Sequence, residues 1–144
     1  MNYMAMLTND EKEQLYKLPA YISLLAANHD GGMDETERKA AVKLSHIKTY
    51  KCNPILAAFY NKSDEVFEQN IAELDNALPK GKAAREQAIK QEIARINDII
   101  ARLGPEYATA MRHGMQTFTN YVAKAHNSVF EYFLFPMPIK GITE

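Results

Sequence analysis

Cysteine is almost missing from this 144-residue chain. Cys52 stands alone, so an internal disulfide and a multi-cysteine zinc site are excluded, and a reducing cytoplasm suits it best. An excess of either charge is missing too. Seventeen Lys and Arg stand against eighteen Asp and Glu, a formal net charge of -1, which leaves no whole-chain electrostatic case for nucleic acid. No run approaches the ~18 apolar residues that a membrane-spanning helix requires. Met4-Ala5-Met6-Leu7 is too short for the apolar core of a signal peptide, and acidic residues follow it directly. The expectation is a soluble, cytoplasmic protein with no membrane span and no nucleic-acid partner.

The motifs of several chemistries are missing as well. There is no Gly-x-Gly-x-x-Gly, no Walker A segment and no Gly-x-Ser-x-Gly, hence no nucleotide cradle or nucleophile elbow. His29, His46, His113 and His126 form neither a His-x-x-x-His pair nor a Glu-x-x-His, so neither a zincin nor a ferritin-like di-iron site is supported. Cys52 has no local catalytic signature and reads as a small, half-buried residue. Nothing pairs a base with a nucleophile or cofactor, which points to a protein that binds and is not an enzyme.

No stretch alternates apolar and polar residues as a half-buried strand does, whereas helical spacing recurs along the whole chain. Hydrophobic content of 47% and charged content of 24% are those of an ordinary globular protein, and the length fits one domain over residues 1–144. Thr8-Asn9-Asp10-Glu11 is a capping box that starts a first helix, and Pro19 predicts a kink or break near Lys17-Leu18. Leu15, Leu18, Ile22, Leu25 and Ala26 then share one face. Asn53-Pro54 reads as a cap and first helical residue opening a short helix through Tyr60, and Ser63-Asp64-Glu65 as the restart of another. Val66, Phe67, Ile71 and Leu74 give that helix a buried side up to Leu78-Pro79. After a turn at Lys80-Gly81-Lys82, Ile89, Ile93, Ile96, Ile100 and Leu103 form a ladder with core spacing. Gly104-Pro105 ends it and opens a last helix carrying Met111, Met115, Phe118, Val122, Ala125 and Val129. The expected fold is all-α, a compact antiparallel bundle of six or seven helices.

One stretch has a sharper local pattern. Around Asn28-His29-Asp30-Gly31-Gly32-Met33, the glycine pair stops one helix, since glycine takes positive φ at little cost. Asp34 then caps the next, with Glu37 at capping-box spacing, followed by Ala40, Ala41, Val42, Leu44, Ile47 and Tyr50. Asp30, Asp34 and Glu37 would gather at this elbow. Three carboxylates with turn carbonyls suit a divalent cation such as Ca²⁺ or Mg²⁺, although not as an EF-hand, because its twelfth position would fall on Ala41. The other reading of the same residues is purely structural: Asp34 and Glu37 cap a helix whose N-terminus favours carboxylates without any ion.

From Leu24 to Glu37 the chain resembles the TerB-like family, named for bacterial tellurite resistance: an alanine-rich helix, an Asp-Gly turn and a Glu one turn into the next helix. The resemblance implies a TerB-like all-helical domain and a non-enzymatic, stress-associated accessory role. It also implies that Asp30 and Glu37 match the acidic positions the family is suspected to use for divalent metal, with Asp34 as an added oxygen donor. The tail from Ala123 to Glu144 looks like a degraded copy of the hinge, but no Asp precedes Gly141, so a second acidic half is missing.

Two surface readings complete the chain. Lys80, Lys82, Arg85 and Lys90 make a mildly basic patch that Glu86 and Glu92 dilute, the pattern of a solvated face. Val129 to Phe135 is apolar nearly all round, and Phe130, Tyr132, Phe133 and Phe135 within it are either core or the contact surface for a protein partner or a homodimer.

Overall fold

A computed structural model describes residues 4–29 and 54–125, and every regular element among them is helical, so the all-α expectation holds there. The elements are α1 (Asn9–Tyr16), α2 (Leu18–His29), a 3-10 turn (Pro54–Leu56), α3 (Ala57–Ala77), α4 (Lys82–Ala101) and α5 (Pro105–Ala125). The acidic elbow with Asp30, Asp34 and Glu37, the helix behind it, Cys52 and the aromatic block Phe130–Phe135 lie outside the described residues. Among the described residues no helix is long and apolar enough to cross a membrane.

Local chemistry sets most boundaries. Thr8 Oγ1 accepts the Glu11 N–H at 3.1 Å while Glu11 Oε1 accepts the Thr8 N–H at 2.9 Å, the reciprocal capping box that opens α1. α1 ends at Tyr16 with Lys17 as its C-cap, and α2 starts at once with Leu18-Pro19. The break expected from Pro19 is therefore real, because proline sits comfortably only in the first turn of a helix. Farther on, Gly104 turns the chain at φ +93° and Pro105 opens α5, as the Gly-Pro pair predicts.

The expected restart at Ser63 does not occur. The 3-10 turn at Pro54 runs directly into α3, which continues without interruption to Ala77. Ser63 is buried and its hydroxyl donates to the Tyr16 carbonyl at 3.2 Å, so it ties α3 to the end of α1 instead of capping a helix. Serine followed by acidic residues looks like a cap in sequence. Here its hydroxyl serves a tertiary bond instead.

α2 is the centre of the molecule. It packs against α3, α4 and α5, and it also touches α1. The sequence spacing suggests one buried face, but every side chain from Leu18 to Asn28 is buried. No charged residue occurs between Leu18 and Asn28, and a helix without a polar face belongs inside. Around it the surrounding helices are amphipathic in the expected way. Ile89, Ile93, Ile96, Ile100 and Leu103 of the ladder, and Met111, Met115, Phe118 and Val122 of α5, are all core.

Close packing between the 3-10 turn, α3 and α5 depends on one glycine. A Cβ at Gly114, in mid-helix, would meet the Tyr60 hydroxyl oxygen at 2.6 Å, and that ring is itself buried. Glycine here costs helix propensity of about 1 kcal/mol, which the close approach of Tyr60 offsets. Gly114→Ala should therefore destabilise the protein by roughly 1–3 kcal/mol through overpacking. In a Tyr60→Phe background, where the nearest remaining ring atom is at 3.7 Å, the same change should become neutral or stabilising. A denaturant double-mutant cycle measures the coupling, and equal effects in both backgrounds would refute the contact.

Candidate functional site

Several described polar and charged side chains are committed to holding the fold, and a different set lines a groove between α1 and α3. The committed set comes first. Arg85, expected in a solvated basic patch, is instead 7% exposed and clamps the α3–α4 turn. Its Nη1 donates to Asp75 Oδ1 at 2.9 Å, its Nη2 to the Asp75 carbonyl at 2.8 Å and its Nε to the Pro79 carbonyl at 2.9 Å. The guanidinium fork can satisfy an acid and two carbonyls at once, which an ammonium could not do with the same geometry. Lys80 donates to the Asp75 carbonyl at 3.0 Å, and Lys90 pairs with Glu86 at 3.6 Å on the outer face of α4. The patch is thus a turn staple plus a solvated helix face.

Asn28 lies in the last turn of the central helix. Its side-chain amide donates to the Lys82 carbonyl at 2.9 Å, fixing the last turn of α2 to the start of α4. At the other end of the molecule Glu11 serves its capping box and also pairs with Arg102 beyond α4. The Thr8 backbone N–H and the Arg102 guanidinium hold the Glu11 carboxyl below its ordinary value of 4.5. Burial pushes the Tyr21 and Tyr107 phenols up to about 12, aided at Tyr21 by Glu92. Both are therefore neutral hydroxyls near pH 7 and cannot serve as phenolate bases.

The groove has a different character. It encloses about 370 Å³, within the range of ligand pockets, and is lined by Glu13, Tyr16 and Lys17 from α1 and its cap, and by Lys62, Val66, Gln69, Asn70 and Glu73 from α3. Its walls are held in place. The Tyr16 ring stacks on Phe59 at 6.1 Å, its hydroxyl donates to the Met4 sulfur at 3.9 Å, and its carbonyl accepts the Ser63 hydroxyl. That last bond places Lys17, which follows Tyr16, and Lys62, which precedes Ser63, at the same end. Glu73 lies eleven residues beyond Lys62 on the same helix, roughly 16 Å along its axis.

Asn70 is 8% exposed and lines the groove, and its amide makes no hydrogen bond among the described residues. Beside it Gln69 donates to Glu73 at 2.9 Å. The lining offers Lys17 and Lys62 at one end and Glu73 at the other, with Glu13 one turn before Lys17 on α1 and an amide with both donor and acceptor capacity between the ends. No local motif marks these residues in the sequence, since α1 and α3 contribute from positions about fifty residues apart. A more general signal was present: Asn70 occupies an inward position between Phe67 and Ile71, on a helical face where Ser63 is the other buried polar side chain.

The acidic residues Asp30, Asp34 and Glu37 lie outside the described residues. Among the described residues no three His, Cys, Asp or Glu side chains come together as a metal-binding group. His113 is exposed on α5. Comparison with known proteins adds no relative: no family model, no curated protein and no solved structure matches this chain.

The lowered Glu11 carboxyl has a consequence for stability against pH. A group depressed in the folded state contributes stability above its unfolded value, and loses it as pH falls through the folded one. Wild type should therefore exceed Glu11→Gln in stability at pH 7, and the gap should shrink as pH falls below 4.5. Denaturant unfolding at several pH values checks this, and a gap that stays constant down to full protonation contradicts the assignment.

Proposed function

We propose that this protein is a non-enzymatic, cytoplasmic helical domain of TerB-like kind, an accessory or stress-associated module that acts by protein–protein interaction. The bundle of six or seven helices expected from the sequence is part of this reading. The observation that carries this reading is on α5. Phe118 and Val122 are core, yet Tyr121 between them is 51% exposed, a large aromatic presented outward. The sequence continues from this helix to Phe130, Tyr132, Phe133 and Phe135. Tyr and Phe are enriched at interface centres, where a rigid amphipathic ring buries much area at low entropic cost. The commitment of Arg85, Asn28 and Glu11 to structural bonds supports the same reading, because it assigns those polar groups a role without chemistry.

A second reading is divalent-metal binding through Asp30, Asp34 and Glu37, three carboxylates within eight residues of sequence that suit an oxygen-ligated ion.

An experiment with a hydrodynamic arm and an unfolding arm addresses both. Light scattering across the micromolar range should show wild type self-associating, with Tyr121→Glu and Phe133→Asp each weakening association at least tenfold. Wild type that stays monomeric throughout sinks the homodimer. In the second arm, Ca²⁺ or Mg²⁺ at a hundred times its dissociation constant should add about 2.7 kcal/mol of stability, lost in Asp30→Ala. No shift at millimolar metal, or an equal shift in the variant, removes the metal reading.

A further inference from the structure

We propose that the groove between α1 and α3 binds an extended peptide segment carrying an acidic side chain at one end and a basic one at the other. This deepens the binding-module reading by giving it a second, separate surface and a ligand chemistry.

The groove selects its occupant by charge and by hydrogen bonding. Lys17 makes none of the ion pairs among the described residues, and Lys62 holds Glu65 in an exposed pair at 3.7 Å that a ligand carboxylate can replace at little cost. Glu73 is oriented by Gln69 and awaits a cation at the opposite end. A ligand of one sign would be repelled at one end or the other. A small anion such as phosphate would use the lysines and leave Glu73 and Asn70 idle. A purely apolar chain would cover the Asn70 amide without bonding it, which costs about 1–3 kcal/mol.

An extended peptide meets all three requirements. The Asn70 carboxamide can donate to one backbone carbonyl and accept from one backbone N–H, whatever the side chains are. Tyr16 and Val66 supply an apolar wall for the stem of the chain. The roughly 16 Å between the levels of Lys62 and Glu73 corresponds to four or five extended residues at about 3.4 Å each. Because Tyr16 is held by Phe59, Met4 and Ser63, that wall is formed before the ligand arrives, and little ordering cost remains for binding.

The test uses the full chain, labelled with ¹⁵N. It is titrated with the capped peptides Lys-Gly-Gly-Gly-Asp and Asp-Gly-Gly-Gly-Lys, which cover both directions, and with neutral Gln-Gly-Gly-Gly-Asn. One charged peptide should saturate and shift the Asn70 side-chain amide signals, while the neutral peptide should not. Affinity should fall at least tenfold in Asn70→Leu and in the pair Lys17→Gln/Lys62→Gln, and it should weaken as salt rises. If Asn70→Leu fails to fold, the surface lysine pair decides. The proposal is overturned if neither charged peptide shifts these signals at millimolar concentration, if the neutral peptide or inorganic phosphate binds as well, or if the lysine pair leaves affinity unchanged. Tyr121→Glu should leave the titration unaltered, so loss of self-association and loss of peptide binding are separate failures.

Discussion

Burial of α2 on every side is the constraint from which the remaining structure follows. From Leu18 to Asn28 no side chain carries a charge, so the helix has no face to offer to water. Removing Leu18, Ile22, Leu24 and Leu25 from solvent contributes about 2 kcal/mol each. That gain requires partners on all sides, and α3, α4 and α5 provide them. The break at Lys17 has the same origin. α1 carries Asp10, Glu11, Lys12 and Glu13 and must stay at the surface, whereas the next residues must go inside. Pro19 in the first turn of α2 lets the chain change direction where the environment changes.

A buried helix still has to satisfy its ends and its neighbours' ends. Asn28 bonds the start of α4, Arg85 fastens the turn that leads into it, and Glu11 with Arg102 joins the cap of α1 to the region after it. These bonds tie the outer helices to the core and commit Asn28, Arg85 and Glu11 to the fold. The groove between α1 and α3 is where this pattern changes. There a nearly buried amide and charges of both signs face open space.

How legible was this in the sequence? The capping box at Thr8, the break at Pro19, the Gly-Pro pair at 104–105 and the isoleucine ladder all act through neighbours within a turn or two, and the structure bears them out. Ser63 and Arg85 were misread for one reason. Each looks like a local surface feature, a cap or a basic patch, but its bonds are to groups brought near by folding. The full burial of α2 was present as an uncharged run of eleven residues, which face-by-face spacing obscured. The groove was not legible, because its two walls come from distant segments and share no motif. The acidic elbow Asp30, Asp34, Glu37 lies outside the described residues, and so does the aromatic block beyond Ala125.

Amide hydrogen exchange tests the central role of α2 most directly. If the helix is enclosed by three others, the amides from Ile22 to Ala26 can open only when the whole protein unfolds. Their exchange free energies should then equal the global stability obtained from denaturant unfolding, and should match the most protected amides of α4. Exchange of Ile22–Ala26 through a lower-energy local opening, ahead of the interior of α4, would contradict the account.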